Sequence, residues 1–251
     1  EPDHRRDHAG YSPAQAVVPE EQHRACHQHL PQGRVLGVRV EAAPRRDLQA
    51  DAGPDALIAA GRWLGEFHRA GEKLIDGGGP KSINALDARY FRSWSERTRA
   101  FTPSPHTSKP WLTSVCAAFE DLTPSLATGP LTVVHGEFYP ANILLAHGRV
   151  LPVDWQSAAV GPGEIDVASL IEGWGNGAIV AACLRTYERS RWPHGTPAGF
   201  RRRLELARVY WPLRWLGDDR AWSLDPRRAH YFDELKEAAR IAGLGDGEGA
   251  A

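Results

Sequence analysis

The chain of 251 residues contains no methionine and only four lysines, Lys73, Lys81, Lys109 and Lys236, none of them in its first 54 positions. No uninterrupted apolar run comes near the roughly 18–20 residues that a membrane-spanning helix needs, and no basic-then-apolar leader opens it. These absences predict a soluble protein that is not exported. Cysteine is scarce as well: Cys26, Cys116 and Cys183 are odd in number and far apart, which argues against a disulfide framework and predicts free thiols in the cytoplasm. A surplus of charge is also missing. A formal net charge of -1 and a pI near 6.9 give no electrostatic reason to expect nucleic acid or an anionic membrane as partner. With no methionine and Glu1 at its head, the sequence reads as part of something longer.

What is present is a globular composition, 42% hydrophobic and 24% charged, sufficient for one core. Residues 1–54 show little periodicity beyond one short strand over 34–40. From Asp55 the pattern changes. Leu57, Ala60, Gly61, Leu64, Phe67 and His68 recur on one helical face, with Pro54 and Asp55 as starting residues and an end near Glu72. Tyr90, Trp94 and Phe101 predict a second helix after Asp87. Trp111, Leu112, Val115, Phe119, Leu122 and Leu126 predict a third, between Pro110 and Gly129. The β-branched Leu131–Val134 reads as a buried strand, and the runs 143–145 and 149–153 read as a hairpin turning at Ala146-His147-Gly148. After Gly161-Pro162-Gly163 the spacing predicts helices over 165–174, 179–191, 200–216 and 230–242, then a disordered tail.

The chemistry concentrates in Val133-Val-His135-Gly136-Glu137-Phe-Tyr-Pro-Ala-Asn142-Ile-Leu-Leu145, followed by Leu151-Pro-Val153-Asp154-Trp155. Phosphoryl transfer needs a carboxylate to orient and deprotonate the attacking hydroxyl, and hard oxygen ligands to hold magnesium on the nucleotide phosphates. A loop from Glu137 to Asn142 can aim a carboxylate and an amide oxygen into one cleft, and the hairpin returns Asp154 beside Asn142.

At these residues the chain resembles the aminoglycoside phosphotransferase and choline kinase group, a branch of the protein kinase-like phosphotransferases. The resemblance runs over about residues 55–240 and implies roles by position: His135 organises the loop, Glu137 is the catalytic base, and Asn142 and Asp154 ligate magnesium. Gly161-Pro-Gly-Glu-Ile-Asp166 is similar to the family segment whose helix-borne Asp steadies that loop, and Leu64-Gly-Glu-Phe-His68 to its first helix. It implies an α+β fold: a kinase-like C-terminal lobe over 55–243, mainly helical with a small catalytic-loop hairpin. Residues 1–54 would be a poorly structured remnant and 244–251 a disordered tail. It also implies ATP and Mg2+ as cofactors, and as acceptor a hydroxyl of a small aminoglycoside- or choline-like molecule.

Two departures qualify the resemblance. The family usually has Asp where this chain has Glu137, and the extra methylene moves the carboxylate by roughly 1–1.5 Å. The N-terminal lobe should bring a glycine loop and a phosphate-binding lysine, yet residues 1–54 hold no lysine and only isolated glycines. That lobe is therefore absent or degenerate, or comes from an upstream segment or a second chain. The alternative expectation is a non-catalytic kinase-like binding module. His23, Cys26 and His27 share a helical spacing, but no second pair follows at a zinc-motif distance. Among Trp174, Trp192, Trp211, Trp215 and Trp222, most should be core; Glu172, Trp174 and Asp218 are candidates for substrate contact.

Overall fold

The structure is a computed structural model, and it describes residues 46–47, 53–78, 83–102, 109–146, 148–174 and 176–245. The strand expected over 34–40 and the His23, Cys26, His27 patch lie outside those residues, as does most of the expected remnant 1–54. One part of that remnant is described, and it is ordered into the sheet: β1, Arg46–Asp47, pairs antiparallel with β4.

Helix α1, Pro54–Asp76, starts on a proline at N1 with Asp55 in its first turn, and it buries Leu57, Ala60, Leu64 and His68. Two of its glycines are set by packing. A Cβ on Gly65 would lie 2.6 Å from the Tyr187 carbonyl oxygen, and Gly61 similarly abuts Cys183, so α1 presses directly on α5, Gly177–Arg191. After β2, Asn84–Ala85, helix α2, Ala88–Phe101, is capped by Asp87, whose side chain accepts from Tyr90 N; α3 spans Pro110–Ala127.

Strand β3, Leu131–Val134, leads into the catalytic-loop segment, a short 3-10 turn over Pro140–Asn142, and the hairpin of β4, Ile143–Ala146, with β5, Arg149–Pro152. The hairpin falls where the two apolar runs flanking Ala146-His147-Gly148 predict it, and Pro152 sits at its last rung, opposite Ile143. Gly161 and Pro162 depart from expectation. They belong to β6, Ala159–Pro162, which pairs antiparallel with β3 and parallel with β2. The partners lie about 30 and 75 residues away in the chain, so no local pattern announces the strand.

Helix α4, Glu164–Ile171, is buried at every residue. It stops short of the predicted Trp174, because Glu172 turns extended and Gly173 takes φ +75°. Around α4 pack α6, Phe200–Asp218, and beyond it α7, Arg220–Leu224, and α8, His230–Ile241. Trp211 on α6 is buried and donates from Nε1 to the Ile165 carbonyl at 2.8 Å, bolting α6 to α4. Leu244, the first residue of the expected tail, is also buried, with its N–H on Ala239 O. No helix among the described residues is long and apolar enough to cross a membrane, and Cys116 and Cys183 are both free.

Candidate active site

The loop between β3 and β4 is held from behind by one carboxylate. Asp166, in the first turn of α4, accepts from His135 N at 2.7 Å and Gly136 N at 2.9 Å, and also from His68 Nε2 at 3.1 Å. Gly136 has φ +85°, and a Cβ there would collide with the Ser157 carbonyl, so no other residue fits this bend. The network continues inward. Tyr187 Oη bonds His68 Nδ1 at 2.9 Å and accepts from Arg191 Nη1 at 2.6 Å, while Arg191 also reaches Glu72 Oε1 and the Pro130 carbonyl. Since Asp166 takes the Nε2 proton, His68 is the neutral tautomer that receives the Tyr187 hydroxyl proton at Nδ1. Burial lowers its pKa to about 4, outweighing the hydrogen bond to Asp166.

His135 is buried between the loop and the hairpin. Its Nε2 donates to the Val153 carbonyl at 2.9 Å, its Nδ1 accepts from Glu137 N at 3.3 Å, and its ring packs 4.5 Å from that of Trp155. One histidine thus ties the start of the loop to the segment just after β5 that carries Asp154.

On the open side, Asn142 donates from Nδ2 to the Glu137 carbonyl at 3.0 Å, and its own carbonyl accepts from Val153 N at 2.9 Å. Asp154 follows immediately, exposed, with φ 63° and ψ 66°. It is the only non-glycine residue with positive φ among those described. An aspartate tolerates this left-handed conformation at a cost of order 1 kcal/mol, a strain that tends to mark functional positions. The Tyr139 hydroxyl lies 3.4 Å from Glu137 Oε2. Its pKa is pushed up to about 12 by burial first, then by the negative charges of Glu137 and Asp154, with Asn142 hydrogen bonding in the opposite sense.

The donor set suits magnesium. With the amide nitrogen of Asn142 committed to Glu137 O, its oxygen is the atom left for a cation, and Asp154 supplies an exposed carboxylate one residue beyond Asn142's backbone partner. Among the described residues no group of three or more His, Cys, Asp or Glu side chains could hold a metal by itself. Two protein oxygens, completed by phosphate and water, are what magnesium ordinarily takes in nucleotide sites.

The structure also adds residues that the sequence pattern did not single out. Arg214, on α6, donates from Nη2 to Glu137 Oε1 at 2.8 Å and from Nη1 to Asp218 Oδ1 at 3.3 Å, so Asp218 joins the site through an arginine. The signal was there to read: an arginine enclosed by Trp211-Pro-Leu and Trp215-Leu needs a buried partner. Tyr139, Tyr187 and Arg191 have no comparable sequence signal. Farther along, Trp215 lies 6.1 Å from Tyr139 and stacks on Tyr231 at 6.0 Å. Glu172 has its pKa raised to about 7, by burial and then by the charge of Glu234. Trp174 packs half-buried against the core, as does Trp192.

Comparison with curated protein sequences finds no match. Among solved structures, the chain resembles the choline kinase LicA from Streptococcus pneumoniae with a TM-score of 0.59 at 14% identity, covering 80% of this chain and 67% of that one. A choline kinase from Cryptosporidium parvum Iowa II gives 0.53 at 12% identity, covering 78% and 68%. An AMP-bound spectinomycin phosphotransferase gives 0.51 at 15%, covering 75% and 67%. At these identities the likeness is one of fold, and the chain spans about two thirds of each structure's length. The family model for the phosphotransferase enzyme family matches residues 6–206, reaching back into the segment where no lobe was recognisable. With loop, hairpin and buried support all inside that match, the chain belongs to the phosphotransferase enzyme family.

Proposed function

We propose that the chain transfers the γ-phosphoryl group of ATP, in a magnesium-dependent reaction, to a hydroxyl of a small amine-bearing molecule. The observation that carries this reading is a loop whose backbone Asp166 pins from behind, on which Asn142 Nδ2 holds the Glu137 carbonyl and the Asn142 backbone holds Val153, the residue before Asp154. Glu137 orients the acceptor hydroxyl and takes its proton as the oxygen bonds to phosphorus and ADP departs. Asn142 and Asp154 hold the magnesium, whose chemistry is to neutralise charge on the phosphate oxygens. His135 and Asp166 keep loop and hairpin in register. Support for an amine-bearing acceptor is the aromatic run Tyr139, Trp215 and Tyr231, since aromatic faces attract ammonium groups. Nucleotide binding by the LicA structure, solved with AMP, agrees with a nucleotide site in this fold.

Calorimetry tests the reading with ATP and millimolar magnesium on the wild type and on Asp154→Asn. Magnesium-dependent binding that is lost in the variant supports it; equal binding by both removes Asp154 from the metal site and the reading with it.

A further inference from the structure

A glutamate side chain has one more torsion than an aspartate, so its carboxylate has more positions available and more freedom to lose before it can serve as a base. In this fold that freedom is removed from outside the loop. Glu137 Oε1 accepts from Arg214 at 2.8 Å, and Oε2 is approached by the Tyr139 hydroxyl at 3.4 Å. The arginine is itself immobilised. Asp218 holds its second nitrogen one helical turn along α6, and its guanidinium carbon lies 4.8 Å from the centre of the Trp94 ring. The side chains of Arg214 and Glu137 are only 14% and 9% exposed, which gives their contact more directional hold than a surface pair has. Stability alone does not account for such a pair, because burying two charges costs about what their attraction returns.

We propose that Arg214 is the positioning residue for Glu137: it draws the longer carboxylate to the α6 wall and fixes its rotamer, so that the lone pairs left over face the acceptor. A carboxylate has about four lone-pair sites, so two bonds leave room for the incoming proton. The inference rests on the reading of Glu137 as the base. In this account Glu137 and Arg214 form one unit, contributed by a loop and a helix 77 residues apart in the chain.

The test is turnover of magnesium ATP with water as the acceptor, which requires no identified substrate, in wild type, Arg214→Lys, Arg214→Gln, Glu137→Gln and the Arg214→Gln/Glu137→Gln double variant. Arg214→Gln is expected to lower kcat on the order of a hundredfold with KM for ATP unchanged, as misplacement of a reacting group does. Arg214→Lys recovers part of the rate. The double variant is no slower than Glu137→Gln alone. Wild-type turnover by Arg214→Gln overturns the inference while leaving Glu137 as base, as does an Arg214→Gln effect equally large in the Glu137→Gln background. Full activity of Glu137→Gln, or no turnover by the wild type, instead removes the base role, and the inference falls with it. Thermal melts establish that each variant is folded, and Arg214→Lys carries the kcat comparison if Arg214→Gln does not fold.

Discussion

Asp166 and Glu137 are carboxylates that both touch the same loop, and they differ in how fully their partners saturate them. Asp166 is fully buried and accepts from three donors, two of them backbone N–H groups, with a neutral histidine, a tyrosine and an arginine behind it. Glu137 is also nearly buried, but it has only one cationic and one phenolic side-chain partner, and Asp154, farther along the chain, is exposed in a strained backbone conformation. The rear is saturated and can do nothing but hold shape. The front keeps acceptor capacity and exposed carboxylate, which a ligand can use. A loop that must present a base within a fraction of an ångström needs both, since rigidity behind permits reactivity ahead.

Glu137→Gln tests the front most severely: it keeps the size and the Arg214 contact but cannot take a proton. Turnover should fall by roughly 10²–10⁴ with little change in Tm, as general-base loss does. A large fall in Tm would blur the division between the two sides. Asp166→Ala tests the rear. It strips partners from two loop N–H groups and from His68, and should cost about 3–5 kcal/mol in chemical denaturation. If denaturation shows less than about 1 kcal/mol, the loop is not held from behind.

The two sides should also answer differently to pH. His68 is neutral in the fold, with its pKa lowered to about 4, whereas the unfolded chain protonates it below its ordinary 6.5. The unfolded state then binds more protons between those values, so stability present at neutral pH is lost as pH falls from 6.5 toward 4, by on the order of 3 kcal/mol. Urea titrations across that range should show a shallower slope in His68→Gln; an equal slope sinks the assignment. Glu172, beyond the front, has the opposite sign. Its pKa is raised from 4.5 to about 7, so the native state holds the extra proton and stability is lost as pH rises through that window. Glu172→Gln should therefore be more stable than wild type at pH 8 by about 1–3 kcal/mol and indistinguishable at pH 4, read from Tm against pH.

Much of this was legible in the sequence, for local reasons. Helices α1, α3 and α6 show in their apolar spacing, the β4–β5 hairpin in the apolar runs that flank Ala146-His147-Gly148, and the loop in the register of His135, Glu137, Asn142, Asp154 and Asp166. Each depends on residues within a few turns of one another. Strand β6 was not legible, because Gly161 and Pro162 look like a break until β2 and β3 supply partners from elsewhere in the chain. The tertiary fold alone decided what surrounds each carboxylate. It brought His68, Tyr187 and Arg191 behind Asp166 and set Arg214 against Glu137, across separations of 98, 119 and 77 residues in the contacts His68 to Asp166, His68 to Tyr187 and Arg214 to Glu137. Periodicity and motif register are properties of neighbours along the chain, so they could single out candidate groups. Which of them is buried, paired or left open to a ligand depends on contacts that exist only once the helices have packed.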